Sequence, residues 1–130
     1  MTLRPARFRQ VLEKLRKNVT GIQALILVGP EGVVDQLVED STLDLENMVD
    51  EYTTLLRIAR SASEDSGAGD LVENIVVSKR SIMIARSIPP EQYLILLSKS
   101  QEQIGRARYE LKQVAWEIGG GGREILIQGQ

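Results

Sequence analysis

The run Ile22-Gln23-Ala24-Leu25-Ile26-Leu27-Val28 constrains the fold more than any other stretch of the chain. From Ala24 onward every side chain is apolar, so a strand here has two apolar faces. Such a strand belongs in the middle of a sheet that is covered on both sides. Gly29-Pro30-Glu31-Gly32 follows with strong turn chemistry, and Val33–Glu39 returns as a second strand. The pair reads as a β-hairpin.

Helical periodicity supplies the covering layers. Pro5 suits the first turn of a helix, and Phe8, Val11, Leu12, Leu15 and Val19 then share one face until Gly21 ends it. Ser41 or Asp44 caps a middle helix, with Asp44 and Glu46 favourably placed in its first turn. Its apolar positions are Leu45, Met48, Val49, Tyr52, Leu55, Leu56, Ala59 and Ala62. At 100° per residue they span about 140°, wider than one sheet contact needs. Asn47, Asp50, Thr54, Arg57 and Ser61 lie opposite, and the helix is expected to fail in Ser63–Gly69. Three strands follow at Leu71–Val77, Ile82–Arg86 and Tyr93–Lys99, so closely spaced that neighbours must be antiparallel. A last helix runs over Ser100–Ile118. This is an α+β chain: helix, two strands, helix, three strands, helix. It divides into a domain over residues 1–118 and a tail over 119–130, where Gly119–Gly122 links Ile125-Leu126-Ile127 to the rest.

Composition removes most enzymology. The chain has no Cys and no His, so thiolate sites, cysteine nucleophiles and His-activated nucleophiles are excluded. Carboxylate or Lys chemistry, oxygen-ligated metals and Lys-activated Ser or Thr survive, but no motif for them appears. Gly29–Gly32 lacks the lysine of a phosphate-binding loop. Gly119–Gly122 follows a helix instead of leading into one. Glu39-Asp40 and Asp44-Glu46 lack the spaced ligands of a calcium loop. No catalytic residue, cofactor or metal site is expected.

The net charge is −2, from 16 basic and 18 acidic side chains, which gives no global field for nucleic acid. The distribution is uneven: residues 1–20 carry a local +5, residues 31–75 a local −10. The N-terminal stretch lacks the apolar run of a signal peptide, and Ala24–Val28 is too short to span a bilayer. A soluble, cytoplasmic protein without membrane insertion is expected. On the last helix Tyr109 and Trp116 fall well off the apolar stripe. Either they pack laterally against the first helix, or they form a docking surface.

The hairpin Ile22–Glu39, the helix that opens with small and acidic residues, the strand meander and the ending Gln103-Ile104-Gly105-Arg106-Ala107-Arg108-Tyr109-Glu110-Leu111 resemble the roadblock / dynein-light-chain family over about residues 6–118. The likeness is nearest to the bacterial and archaeal branch, whose members act with small Ras-like GTPases. It implies an antiparallel sheet in the order 2-1-5-4-3, with the middle helix on one face and the terminal helices on the other. It also implies a homodimer in which third strands join and middle helices pack together. Met48, Tyr52, Leu55, Leu56, Ala59, Leu71, Glu73, Ile75 and Val77 would form that interface. Asn47, Asp50, Thr54 and Arg57 are the candidates for contact with the GTPase. The function implied is a non-enzymatic regulator of the GTPase, as activator or scaffold. A structural adaptor for motor, cytoskeletal or signalling proteins is the alternative. Two readings of the tail stay open: Glu124–Gln128 docks along the free edge of the second strand, or it is a disordered terminus.

Overall fold

The computed structural model describes residues 5–118; the glycine linker and apolar tail over 119–130 lie outside them. The elements are α1 (Pro5–Asn18), β1 (Ile22–Gly29), β2 (Gly32–Val38), α2 (Leu45–Asp65), β3 (Glu73–Val77), β4 (Ile82–Ile88), β5 (Gln92–Ser98), a 3₁₀ turn (Gln101–Gln103) and α3 (Ile104–Ile118). The strands form one sheet in the order β2-β1-β5-β4-β3. Every neighbouring pair is antiparallel.

The apolar run is central, as its two-sided character requires. Leu25 and Leu27 face α1 and α3 together with Leu94, Leu96, Ile82 and Ile84. Phe8, Leu12 and Leu15 of α1 and Ala107, Leu111 and Val114 of α3 close over them. Ala24, Ile26 and Val28 face the other way, with Ile95, Leu97, Met83 and Ala85, beneath Val49 and Leu56 of α2. Each face is therefore an apolar layer of its own, and the sheet is sealed between helices.

Ile22 shares the face of Leu25 and Leu27, which strict alternation forbids. The β1–β5 register slips between Ile22 and Ala24, making Gln23 the extra residue of a bulge. Its carbonyl accepts the N–H groups of Glu39 (2.9 Å) and Asp40 (3.1 Å). Its Nε2 donates to Asp40 Oδ2 at 3.1 Å.

Several boundaries differ from the sequence expectation. The middle helix does not fail at Ser63 but continues through Asp65. Arg60 supports that last turn through Glu64, one turn ahead, at 3.3 Å. Gly67 then takes φ +82°, and the N–H groups of Gly67 and Ala68 bond the carbonyls of Glu64 and Ser63. This is a Schellman stop. β3 begins at Glu73, two residues after Leu71, while β4 runs past Arg86 to Ile88. The last helix opens as a 3₁₀ turn capped by Ser100, whose hydroxyl accepts the Glu102 N–H. Asp44, not Ser41, caps α2: its carboxylate accepts the Asn47 N–H at 3.3 Å.

Candidate functional site

Helix α2 carries nearly all the sequence-derived candidates, and its three sides have different surroundings. Val49 and Leu56, two turns apart, are buried against the sheet. On the flank toward β3, Met48, Tyr52 and Leu55 are only half-buried against the same layer, and Ala59 is half-buried beside them. Ile58 lies 60° beyond Leu55 on the outward side, close to Asn47, and is 62% exposed. The sequence reading left Ile58 out because it lies off the 140° stripe.

The flank toward the hairpin forms a cleft of about 680 Å³. Glu46, Asp50, Thr53, Arg57 and Arg60 form its helical wall, opposite Gly29, Val33 and Gln36, with Glu91 and Tyr93 at one end. Burial raises the Tyr93 phenol above its ordinary value, a trend that neighbouring Arg60 opposes. The sequence reading missed this cleft. Nothing in the local spacing of residues 29–36 shows that α2 will stand beside them.

Asn47, Asp50, Thr54 and Arg57 are all exposed and share an arc of about 80° on the helix. Asp50 and Arg57 also line the cleft, while Asn47 and Thr54 do not. The Thr54 hydroxyl donates to the Asp50 backbone carbonyl at 2.9 Å.

The residues assigned to a dimer contact divide by sheet face. Leu71 lies half-buried under the α2 side, and Ile75 packs on the α1/α3 side. Leu56 is 4% exposed and already belongs to the protomer's own core. Glu73 is held by Arg108 of α3 at 2.8 Å and by Arg86 of β4 at 3.6 Å. Val77 is 53% exposed at the end of the edge strand. Tyr109 and Trp116 are 54% and 43% exposed, so neither is enclosed by α1.

Among the described residues no group of three His, Cys, Asp or Glu is placed to hold a metal ion. Asp40, part of one acidic pair, instead accepts from Gln23 and from the N–H and hydroxyl of Thr42, with Lys99 at 3.5 Å. No described helix is long and apolar enough to cross a membrane.

No family model and no curated protein matches the chain. Solved structures do. MglC from Myxococcus xanthus is 30% identical, with 88% of this chain and 98% of that one aligned at a TM-score of 0.61. A Roadblock/LC7 domain from Streptomyces avermitilis aligns over 91% of this chain and 96% of its own, at 17% identity and a TM-score of 0.72. The chain belongs to the roadblock/LC7 family. Myxococcus xanthus MglB has the same fold at only 10% identity, over 94% of this chain and 99% of that one, with a TM-score of 0.79. In this roadblock domain the strand order and the division of helices between sheet faces are those implied by the sequence resemblance.

Proposed function

We propose that this roadblock domain is a non-enzymatic, cytoplasmic homodimer that regulates a small Ras-like GTPase by binding it, as activator or scaffold. One observation carries the reading: the apolar flank of α2 stands on the same side of the molecule as the unpaired outer edge of β3. Met48, Tyr52, Leu55 and Ala59 on that flank are half-buried. An edge strand with exposed Val77 beside an apolar helix flank is a liability in a monomer. A two-fold axis at β3 removes it, because the patch is then its own complement. Pairing Glu73–Val77 with its copy joins the two sheets and brings the two α2 flanks together.

The GTPase enters through the branch of the family that the chain resembles. Asn47, Asp50, Thr54 and Arg57 stay outward on α2 in such a dimer, with charges of both signs to orient a partner. In this reading the chemistry of hydrolysis belongs to the GTPase.

Light scattering at tens of micromolar is expected to return the mass of a dimer. Titration against a small Ras-like GTPase encoded beside this chain is expected to show binding. The double variant Asp50→Lys, Arg57→Glu should weaken it by about tenfold or more. A monomer, or a dimer that neither binds the GTPase nor alters GTP turnover, overturns the reading.

A further inference from the structure

The two faces of the sheet are covered unequally. On one, α1 and α3 draw in both edge strands, since Leu37 of β2 and Ile75 of β3 pack against their layer. On the other, α2 is the only described helix, and the buried strand residues beneath it come from β1, β5 and β4. β2 is left bare on that side. Val33, Gln36 and Val38 stand opposite Val28, Ile26 and Ala24 and so face the α2 layer. Yet Val33 and Val38 are 44% and 39% exposed, and Gln36 is exposed as well. The cleft of about 680 Å³ opens between this strand and α2, with Val28, Val49 and Leu56 in its apolar lining.

From this cleft we infer that the bare face of β2 seats an amphipathic helix of a partner protein, lying antiparallel to α2. Spacing selects a helix. α2 is centred over β5, the middle of the three strands it buries. Packed helices stand about 8–10 Å apart and strands about 4.8 Å, so the next helix on that face falls two strands away, over β2. A strand added to the rim of β2 would leave the cleft unfilled.

Charge selects the kind of helix. Glu46, Asp50, Thr53, Arg57 and Arg60 follow one another at alternating steps of four and three residues, which sets them in one line along the cleft wall. The line is acidic toward the start of α2 and basic toward its end. Asp50 and Arg57 lie beyond the first and last turns, so the dipole of α2 itself does not account for them. Of the four charged groups, Arg60 alone has an ion-pair partner among the described residues, Glu64 at 3.3 Å. An occupant resting its apolar side on Val33, Val38 and Val49 would therefore bring cations to Glu46 and Asp50 and anions to Arg57. Helices favour acids near their start and bases near their end. A partner helix with that polarity matches this wall only when it runs antiparallel to α2. Asp50 and Arg57 are shared with the GTPase contact proposed above, whereas Val33 and Val38 are not, so the inference stands without that contact and is read on the valines.

The probe is a synthetic peptide of about 18 residues, long enough to hold a helix. It carries leucines at i, i+3, i+4 and i+7, glutamates in its first two turns and lysines in its last two. A control peptide has the same composition with the leucines spread round the helix. Fluorescence anisotropy on the full chain is expected to show saturable binding of the probe, and binding at least about tenfold weaker for the control. The double variant Val33→Asp, Val38→Asp should also weaken it at least about tenfold, with circular dichroism like the parent's because both sites are exposed. In the parent, amide NMR shifts on binding are expected along Val33–Val38 and Glu46–Arg60 and not along Glu73–Val77. A spin label at the C-terminus of the peptide should broaden Leu45–Val49 and spare Arg57–Ser61. Equal binding of the two peptides, binding that the valine variant leaves unchanged, shifts centred on β3, or broadening at Arg57–Ser61 overturns the inference. No binding by the full chain overturns it too; recovery on dilution, or on truncation after Ile118, then names the occupant as a second copy or as residues 119–130.

Discussion

Arg108 of α3 pairs with Glu73, the first residue of β3, at 2.8 Å. Glu73 also meets Arg86 on the neighbouring strand at 3.6 Å. The edge strand is short, and its side chains are half-buried or exposed, so this cluster ties its start to both the sheet and a helix. Replacing Glu73 by Ala leaves two guanidinium groups facing each other. The expected outcome is local: β3 amides exchange about tenfold faster while those of β1 and β5 hold. Uniform change across the sheet would show that Glu73 supports the whole fold instead.

Neighbouring leucines on α2 separate folding from association. Leu56 is 4% exposed beneath the helix, whereas Ile58 is 62% exposed on its outward side, beyond the half-buried Leu55. A charge at Leu56 would be forced into the apolar layer it shares with Ile26, Met83 and Ile95, so Leu56→Glu is expected to prevent folding. Ile58→Glu is expected to leave a folded chain, with stability changed by no more than about 0.5 kcal/mol in the monomer, that no longer dimerises. Circular dichroism and light scattering on the two variants check both halves. An intact dimer of Ile58→Glu would show that the interface does not extend to the outward side of α2.

How much of this was legible in the sequence follows from which forces are local. Ala24–Val28 announced a central strand because two-sided burial leaves a mark on every residue. Asp44 and Gly67 mark helix ends through short-range hydrogen bonds, yet the sequence offers only Ser41 or Asp44 as a cap for this helix. Gly67 is indistinguishable from its polar loop by composition, since a Schellman stop depends on φ. The bulge at Gln23 was hidden because its cause, Glu39 and Asp40 reaching back to one carbonyl, comes from outside the strand. The cleft beside α2 was invisible for the same reason. The outward arc of Asn47, Asp50, Thr54 and Arg57 was readable from periodicity alone, and the structure keeps all four exposed.

Asp40 gives the molecule an acid-sensitive point. Hydrogen bonds from the Thr42 hydroxyl, the Thr42 N–H and Gln23 hold its carboxyl well below the usual carboxylate range. In the unfolded chain it titrates near about 3.9. The folded form therefore resists protonation that the unfolded form accepts, and stability from this group is present above about pH 4 and lost as pH falls further. Asp40→Asn is expected to melt below the parent at pH 7, and the gap is expected to close progressively below about pH 4. Thermal melts from pH 7 to pH 2 measure it. A gap that stays constant with pH would assign the effect to shape and not to charge.

Two glycines then test backbone against packing. Gly67 sits at φ +82° with nothing within 4 Å of where a Cβ would stand. Gly67→Ala therefore meets no clash, and its whole cost is that of placing an L side chain in the left-handed region, about 1–2 kcal/mol. Asn tolerates that region better, so Gly67→Asn should lose less. Gly29 is the reverse case: its backbone is ordinary, but a Cβ would lie 3.2 Å from Val34 Cγ2 on the exposed hairpin. Val34 is 49% exposed and free to turn, so Gly29→Ala should cost less than Gly67→Ala. Urea denaturation of the three variants gives the order. If Gly67→Ala matches the parent, α2 must end without the Schellman turn in solution, and the loop that leads to β3 has been anchored by Ser63 and Gly69 instead.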